Sequence, residues 1–247
     1  MNRRAVAKHF ALPSNQLLSN GAVDPLHMAL FAPLHYEPNY AYPLVIWLHG
    51  RQGSEHDLLR VMPHLSLRNY VAVAPRGTEH VSTSNAGRFY DWSRTNLRLA
   101  EQRVLRCLEA AQTKYNVSPR RIYLAGMEHG GALAIEIALR HADLFAGAIS
   151  LGGGFPAGGA PLANLESARD LPLFLTSYEK SSFYPVARAC DDLRLFHAAG
   201  LRVMLRQYPG KDGLCKLVLA DLDRWIMEQV TQPDESTFES VESQEAL

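Results

Sequence analysis

Apolar residues recur along this chain at two spacings. Short, mostly apolar runs stand at Leu26 to Phe31, Leu44 to Leu48, Tyr70 to Ala74, Leu144 to Leu151, Leu171 to Thr176 and Leu201 to Arg206, each of strand length. Between them, Glu55 to Leu67, Asn96 to Tyr115, Val186 to Ala199 and Leu214 to Val230 read as helices. The clearest is Asn96 to Tyr115, where Leu97, Val104, Leu105, Leu108 and Ala111 fall on one helical face. Leu44-Val45-Ile46-Trp47-Leu48 is apolar at every position, which predicts a strand covered by helices on both faces of a parallel sheet. Strands alternating with helices predict one α/β domain over residues 25–231 with a mostly parallel sheet. A weakly patterned extension, 1–24, precedes it. Residues 232–247 follow as an acidic tail, in which Asp234, Glu235, Glu239, Glu242 and Glu245 stand among Ser, Thr and Gln, a composition that predicts disorder.

One stretch carries more than pattern. Arg121-Ile122-Tyr123-Leu124-Ala125 runs into Gly126-Met127-Glu128-His129-Gly130-Gly131, and a helix-forming run, Ala132 to Leu139, follows at once. A buried strand, a glycine-rich turn and a helix whose first amides face that turn make the layout of a nucleophile elbow. At the tip, where Gly-x-Ser-x-Gly would carry serine, this chain has Glu128. The segment from Arg76 to Asp91 reads as a long loop carrying His80, Arg88, Phe89 and Tyr90, and a connection of that length reads equally as a cleft edge or as an irregular crossing loop. Tyr90 and Trp92 are the aromatic candidates for lining that cleft, with core packing the competing reading. His49 and Gly50 follow the Leu44 to Leu48 strand and are candidates for the same cleft, although a histidine there more often braces the loop.

Composition narrows the function. The 247 residues are 47 % apolar and carry equal numbers of acidic and basic side chains, so no overall field gathers nucleic acid or an anionic membrane. No apolar run is long enough to span a bilayer and no signal peptide is visible. Cys107, Cys190 and Cys215 are odd in number and without pair spacing, which predicts free thiols and a cytoplasmic location. Gly152-Gly153-Gly154 lacks the spacing and lysine of a phosphate loop, and no histidine or cysteine spacing suggests a metal. No cofactor is expected.

Taken in order, Leu48-His49-Gly50, then Gly126-x-x-x-Gly130-Gly131, then the loop with Phe155-Pro156, then Pro185-Val186, then Tyr208-Pro209-Gly210 resemble the α/β-hydrolase fold. Within it they are most similar to the phospholipase/carboxylesterase group of small serine esterases and thioesterases, with dienelactone hydrolase-like proteins nearby. The resemblance covers about Leu26 to Val230. It implies that the nucleophilic serine falls on Glu128, the catalytic histidine on Asp212 and the acid on about Ser181, or on Glu179 if the loop is read two residues differently. It places the oxyanion-hole amides on Arg51 and His129. The backbone frame is thus retained while all three triad side chains are replaced.

Serine hydrolysis needs a hydroxyl, a base in reach and a group that orients the base. Glu128, Asp212 and Ser181 supply none of these in the required order. The leading expectation is a hydrolase-fold protein that has lost its triad and binds a small ligand in the vestigial cleft or regulates a partner. One competing expectation is an active hydrolase using a carboxylate, or a base such as His80 reaching in from the long loop. Another is a self-assembly or interaction module, such as a homodimer, with the cleft closed by Arg51 or Tyr90. Glu128 itself is expected either to accept amide hydrogen bonds at the elbow and the helix N-terminus, or to pair with Asp212.

Overall fold

The computed structural model describes residues 26–81, 88–92, 97–156 and 165–231. The extension 1–24 and the acidic tail 232–247 lie outside the described residues. In chain order the elements are β1 (Met28–Phe31), β2 (Tyr42–Leu48), α1 (Asp57–Leu65), β3 (Val71–Pro75), β4 (Thr78–Val81), β5 (Arg88–Asp91), α2 (Leu97–Lys114) and β6 (Val117–Met127). They continue as α3 (His129–Arg140), β7 (Gly147–Leu151), α4 (Leu165–Ala168), β8 (Leu173–Tyr178), α5 (Val186–Ala198), β9 (Val203–Tyr208) and α6 (Lys216–Thr231). Seven strands form one sheet in the order β1-β3-β2-β6-β7-β8-β9. Only β1 runs antiparallel, against β3. This is an α/β-hydrolase fold with a mostly parallel sheet flanked by helices.

The continuous apolar runs are explained by a sheet with two covered faces. Along β2 every residue is buried, and successive side chains enter opposite cores. Leu44, Ile46 and Leu48 pack with Val104, Leu108, Ile135 and Phe196, contributed by α2, α3 and α5. Val45 and Trp47 pack with Leu58, Met62, Leu222 and Trp225, contributed by α1 and α6. The next strand, β6, repeats the division, with Ile122 and Leu124 in the first core and Tyr123 and Ala125 in the second. Among the described residues no helix is long and apolar enough to cross a membrane.

Two differences from the sequence reading have physical causes. Leu144, Leu171 and Leu201 precede their strands, because their amides bond back to His141, Ala168 and Phe196 in turns that end the preceding helices. The segment expected as a long loop contains a two-stranded hairpin, in which β4 and β5 pair from Thr78↔Asp91 to Val81↔Arg88. Its strands mix charged and apolar residues, so no period of two announced them. Arg76 anchors the hairpin base: its guanidinium bonds both carboxylate oxygens of buried Glu55, with Nε to Oε2 at 2.7 Å, and stacks 4.5 Å from the Tyr90 ring centroid. Burial works to raise the Glu55 carboxyl, but the Arg76 hydrogen bonds and charge prevail and hold it below its ordinary value.

The elbow glycines are fixed by close approach. A Cβ on Gly126 would overlap the backbone of Gly130, and a Cβ on Gly130 would lie 2.5 Å from the carbonyl oxygens of both Leu48 and His49. Helix α3 therefore sits directly on β2 and β6. Gly130→Ala is expected to destabilise the fold by about 2–3 kcal/mol in chemical denaturation, since backbone rather than a mobile side chain must give way. Gly213→Ala, at a site with nothing within 4 Å, should be nearly neutral and serves as the control.

Candidate functional site

The parallel strands end on one side of the sheet, and five of their loops converge there, as open α/β sheets require of a ligand site. β6 stands in the centre of the sheet and carries Glu128 at its tip. β2 delivers His49-Gly50-Arg51 on one flank. β7 delivers Gly152 on the other, followed by the loops after β8 and β9 with Ser181 and Asp212.

Glu128 has φ 51° and ψ −116°, a conformation L-residues avoid. The turn is nevertheless held from both ends: the Glu128 amide donates to Leu151 O at 2.9 Å, and its carbonyl accepts the Ala132 amide at 3.0 Å. This is the strained strand-to-helix corner that the sequence layout implied, here with a carboxylate at its tip.

The carboxylate does not cap α3; among the described contacts it turns to the opposite loop. Its Oε2 accepts the Arg51 amide at 2.9 Å and Arg51 Nε–H at 3.0 Å, while Oε1 accepts Nη2–H at 3.1 Å. Helix capping, one of the sequence-based expectations for Glu128, is therefore replaced by a two-point grip on one arginine. Glycine at position 50 makes room for it, because a Cβ there would lie 3.3 Å from Oε2. The Glu128 side chain is 10 % exposed and that of Arg51 46 %, so solvent screens the pair from one side only. The Arg51 guanidinium also covers the Phe183 ring at 4.8 Å.

The other predicted residues fall in distinct places. Asp212 leans over Gly152 beside the Tyr178 ring, and its Oδ1 is buried without a hydrogen-bond donor among the described residues. Ser181 is buried, and its Oγ accepts the Tyr184 amide at 2.8 Å, which braces the turn after β8. Glu179, the alternative acid, is exposed, and its amide donates to Tyr208 O. His49 is not in the cleft: it is fully buried, its Nε2 accepts the Gly77 amide at 2.9 Å, and its Nδ1 lies 2.8 Å from Gly50 O. Trp92 is likewise buried and belongs to the core that packs on α2 and α3. Tyr90 is partly buried against Arg76. The side chain of His80, the alternative base, lies outside the described residues. Among those residues no group of three or more His, Cys, Asp or Glu side chains could hold a metal ion.

His129 and Asp91 were not paired by the sequence reading. His129 Nδ1 sits 2.9 Å from Asp91 Oδ1, and its ring meets the edge of Phe183 with centroids 4.7 Å apart. The same Asp91 oxygen accepts the Trp92 amide at 2.6 Å. The sequence separation of 38 between the partners, and the hidden hairpin that brings Asp91 in, kept this contact out of reach of local pattern. A small cavity of about 150 Å³ opens next to the elbow, walled by Trp47, Gly50, Val61, Met127 and Leu214, with Asp57 and Arg60 at its edge.

Two stability predictions follow from this geometry. Burial, as the largest effect, lowers the His49 pKa below 6.5 against the opposing Gly50 carbonyl and nearby Asp57, Asp91 and Glu55 charges. With its folded value depressed, His49 contributes stability that is fully present above pH 6.5 and is lost as pH falls through the folded value. Between about pH 7.5 and about pH 5.5 the parent should lose up to about 1.4 kcal/mol more stability than His49→Gln, and equal losses would refute the assignment. Glu128→Gly removes a strain of about 1–3 kcal/mol and gives up a half-exposed ion pair of about 0–1 kcal/mol. Its denaturation midpoint should therefore rise; a fall would mean that the Arg51 grip outweighs the strain.

Comparison with known proteins places this architecture. A family model described as phospholipase/carboxylesterase matches residues 37–227, from the turn before β2 to the last turns of α6. Among solved structures, Arabidopsis thaliana SOBER1 is similar with a TM-score of 0.67 at 18 % identity, covering 77 % of this chain and 100 % of that one. A Bacillus cereus carboxylesterase gives 0.64 at 17 % identity over 83 % of this chain and 94 % of that one. Zea mays acyl-protein thioesterase 2 gives 0.62 at 14 % identity over 82 % and 98 %. Identities this low speak for the fold alone, but the family match spans most of the chain. With a strained elbow at the tip of its central strand and that match around it, this chain belongs to the phospholipase/carboxylesterase family.

Proposed function

We propose that this protein is a family member that has lost serine-type hydrolysis and now acts by binding. The observation that carries the reading is the position of the Glu128 carboxylate. Acyl transfer needs amide donors aimed at an oxygen that becomes negative in the transition state. Here the Arg51 amide already donates to Glu128 Oε2, and Arg51 Nε adds a second bond to the same oxygen. A substrate carbonyl would have to displace a carboxylate and then develop charge beside it, which raises the barrier rather than lowering it.

The remaining positions agree. Asp212 cannot take a proton from a nucleophile as imidazole does, and Ser181 Oγ is committed to the Tyr184 amide. A glutamate nucleophile would form an ester intermediate with no histidine at the Asp212 position to activate the resolving water. The role of the cleft is then to hold a small ligand, with the cavity walled by Gly50, Met127 and Leu214 as its apolar part.

A second reading, an interaction module with a closed cleft, is favoured by one contact: Arg51 covers both Glu128 and Phe183 at the mouth. Sedimentation velocity separates the two, because a closed module assembling with itself gives a concentration-dependent dimer and a ligand-binding monomer does not.

The decisive assay is hydrolysis of short-chain aryl esters and thioesters, with a serine-reactive phosphonate probe alongside. The parent should show no turnover above background and no labelling, and Glu128→Ser alone should stay inactive because no base is restored. Turnover in the parent that disappears in Glu128→Gln would overturn the proposal and make the carboxylate the nucleophile.

A further inference from the structure

A second cavity stands away from the elbow. It lies at the opposite end of the sheet, where β2 begins and β3 is about to begin, and it encloses about 250 Å³. Tyr42, its innermost wall, is the first residue of β2, while Gly50 of the elbow lies just beyond the other end of that strand. At about 3.3 Å per residue the two sites are separated by roughly 20 Å or more. The cavity is therefore independent of the hydrolase-type cleft and of the function proposed for it.

Its walls are chemically specific. Tyr40 and Tyr42 stand edge to face, with ring centroids 4.7 Å apart and planes at 78°. Tyr42 is fixed: its hydroxyl accepts the Glu37 amide at 3.1 Å, and Tyr36 stacks behind it at 5.3 Å. Tyr40 is 48 % exposed, although burial of a large aromatic is favourable. Met227 and Val230 of α6 supply an apolar floor. Two charges of opposite sign, Glu37 and Arg68, line the same cavity. Neither side chain enters an ion pair or hydrogen bond with another described residue.

We propose that this cavity is a binding site for a small zwitterion of α-amino-acid type with an apolar or aromatic side group. Glu37 faces the ammonium, Arg68 takes the carboxylate, and the side group lies between the two tyrosines and the α6 floor. Each component answers a feature the protein leaves unmatched. An ammonium beside the tyrosine faces gains from their negative quadrupoles as well as from Glu37. A carboxylate matches the planar fork of Arg68. The volume falls just under the roughly 300–1,000 Å³ of drug-sized sites, which suits a ligand of amino-acid size. A simple cation would leave Arg68 unmatched beside it, and a simple anion would meet Glu37.

The test uses the full chain and L-phenylalanine as probe, followed by saturation-transfer NMR and calorimetry. Phenylacetate, which lacks the ammonium, and phenethylamine, which lacks the carboxylate, are the controls. L-Phenylalanine should bind, and each control should bind at least about threefold more weakly, the effect of losing one exposed ion pair. Tyr40→Ala should weaken binding by about tenfold. Arg68→Gln should remove the preference for L-phenylalanine over phenethylamine, and Glu37→Gln the preference over phenylacetate. All three positions are exposed, so the variants should fold, and unchanged circular dichroism checks this. No binding, equal binding of all three ligands, or binding unaffected by Tyr40→Ala would overturn the proposal. Binding only after the chain is cut following Thr231 would also overturn it, assigning the cavity to the protein's own C-terminal segment.

Discussion

The site depends on one constraint: a non-glycine residue is held at φ 51° between the central strand and the helix that follows it. Gly126 and Gly130 let α3 come down onto β6 and β2, and that close packing leaves the tip residue no relaxed backbone conformation. A side chain placed there is driven up into the space between the converging loops. In a serine hydrolase that thrust presents the nucleophile. Here it presents a carboxylate directly to the Arg51 amide and guanidinium, so the corner that would assemble an active site instead fills it.

Much of the fold was legible because its strands are buried on both sides. A strand such as β2, apolar at all but its first position, can only sit between two layers, and the alternation of such runs with helical ones leaves little choice of architecture. The elbow was legible for a different reason: its glycines are dictated by backbone contacts that no other residue allows. The hairpin of β4 and β5 was not, since the Arg76–Glu55 contact at its base joins residues far apart in sequence and is not a local property. For His49 and Trp92 the sequence left cleft lining open beside loop bracing and core packing, and burial decides for the latter two. A histidine after a strand reads as polar and therefore near a cleft, yet two bonded ring nitrogens satisfy it in full burial.

The pairing of Glu128 shows what sequence could and could not supply. The replacement of serine was visible at once, and with it the loss of the hydroxyl. Which donor the carboxylate would choose was not, because helix amides and the Arg51 loop are both close to the tip. Geometry decides for Arg51, since a guanidinium matches both oxygens at once while its own amide adds a third bond. Burying a carboxylate is costly unless it is paired and hydrogen-bonded, and this arrangement supplies both conditions from one residue.

The two candidate sites occupy opposite ends of β2, and the strand between them argues against communication. Coupling between distant sites requires an element with two discrete arrangements whose balance each ligand shifts. β2 is buried at every position, hydrogen-bonded to β3 and β6 and packed into both cores, so a one-residue slip would reverse every side chain between them. Such a strand transmits position without offering an alternative. A ligand between Tyr40 and Tyr42 would therefore leave the Arg51 grip on Glu128 unchanged, and binding at the two ends would be additive.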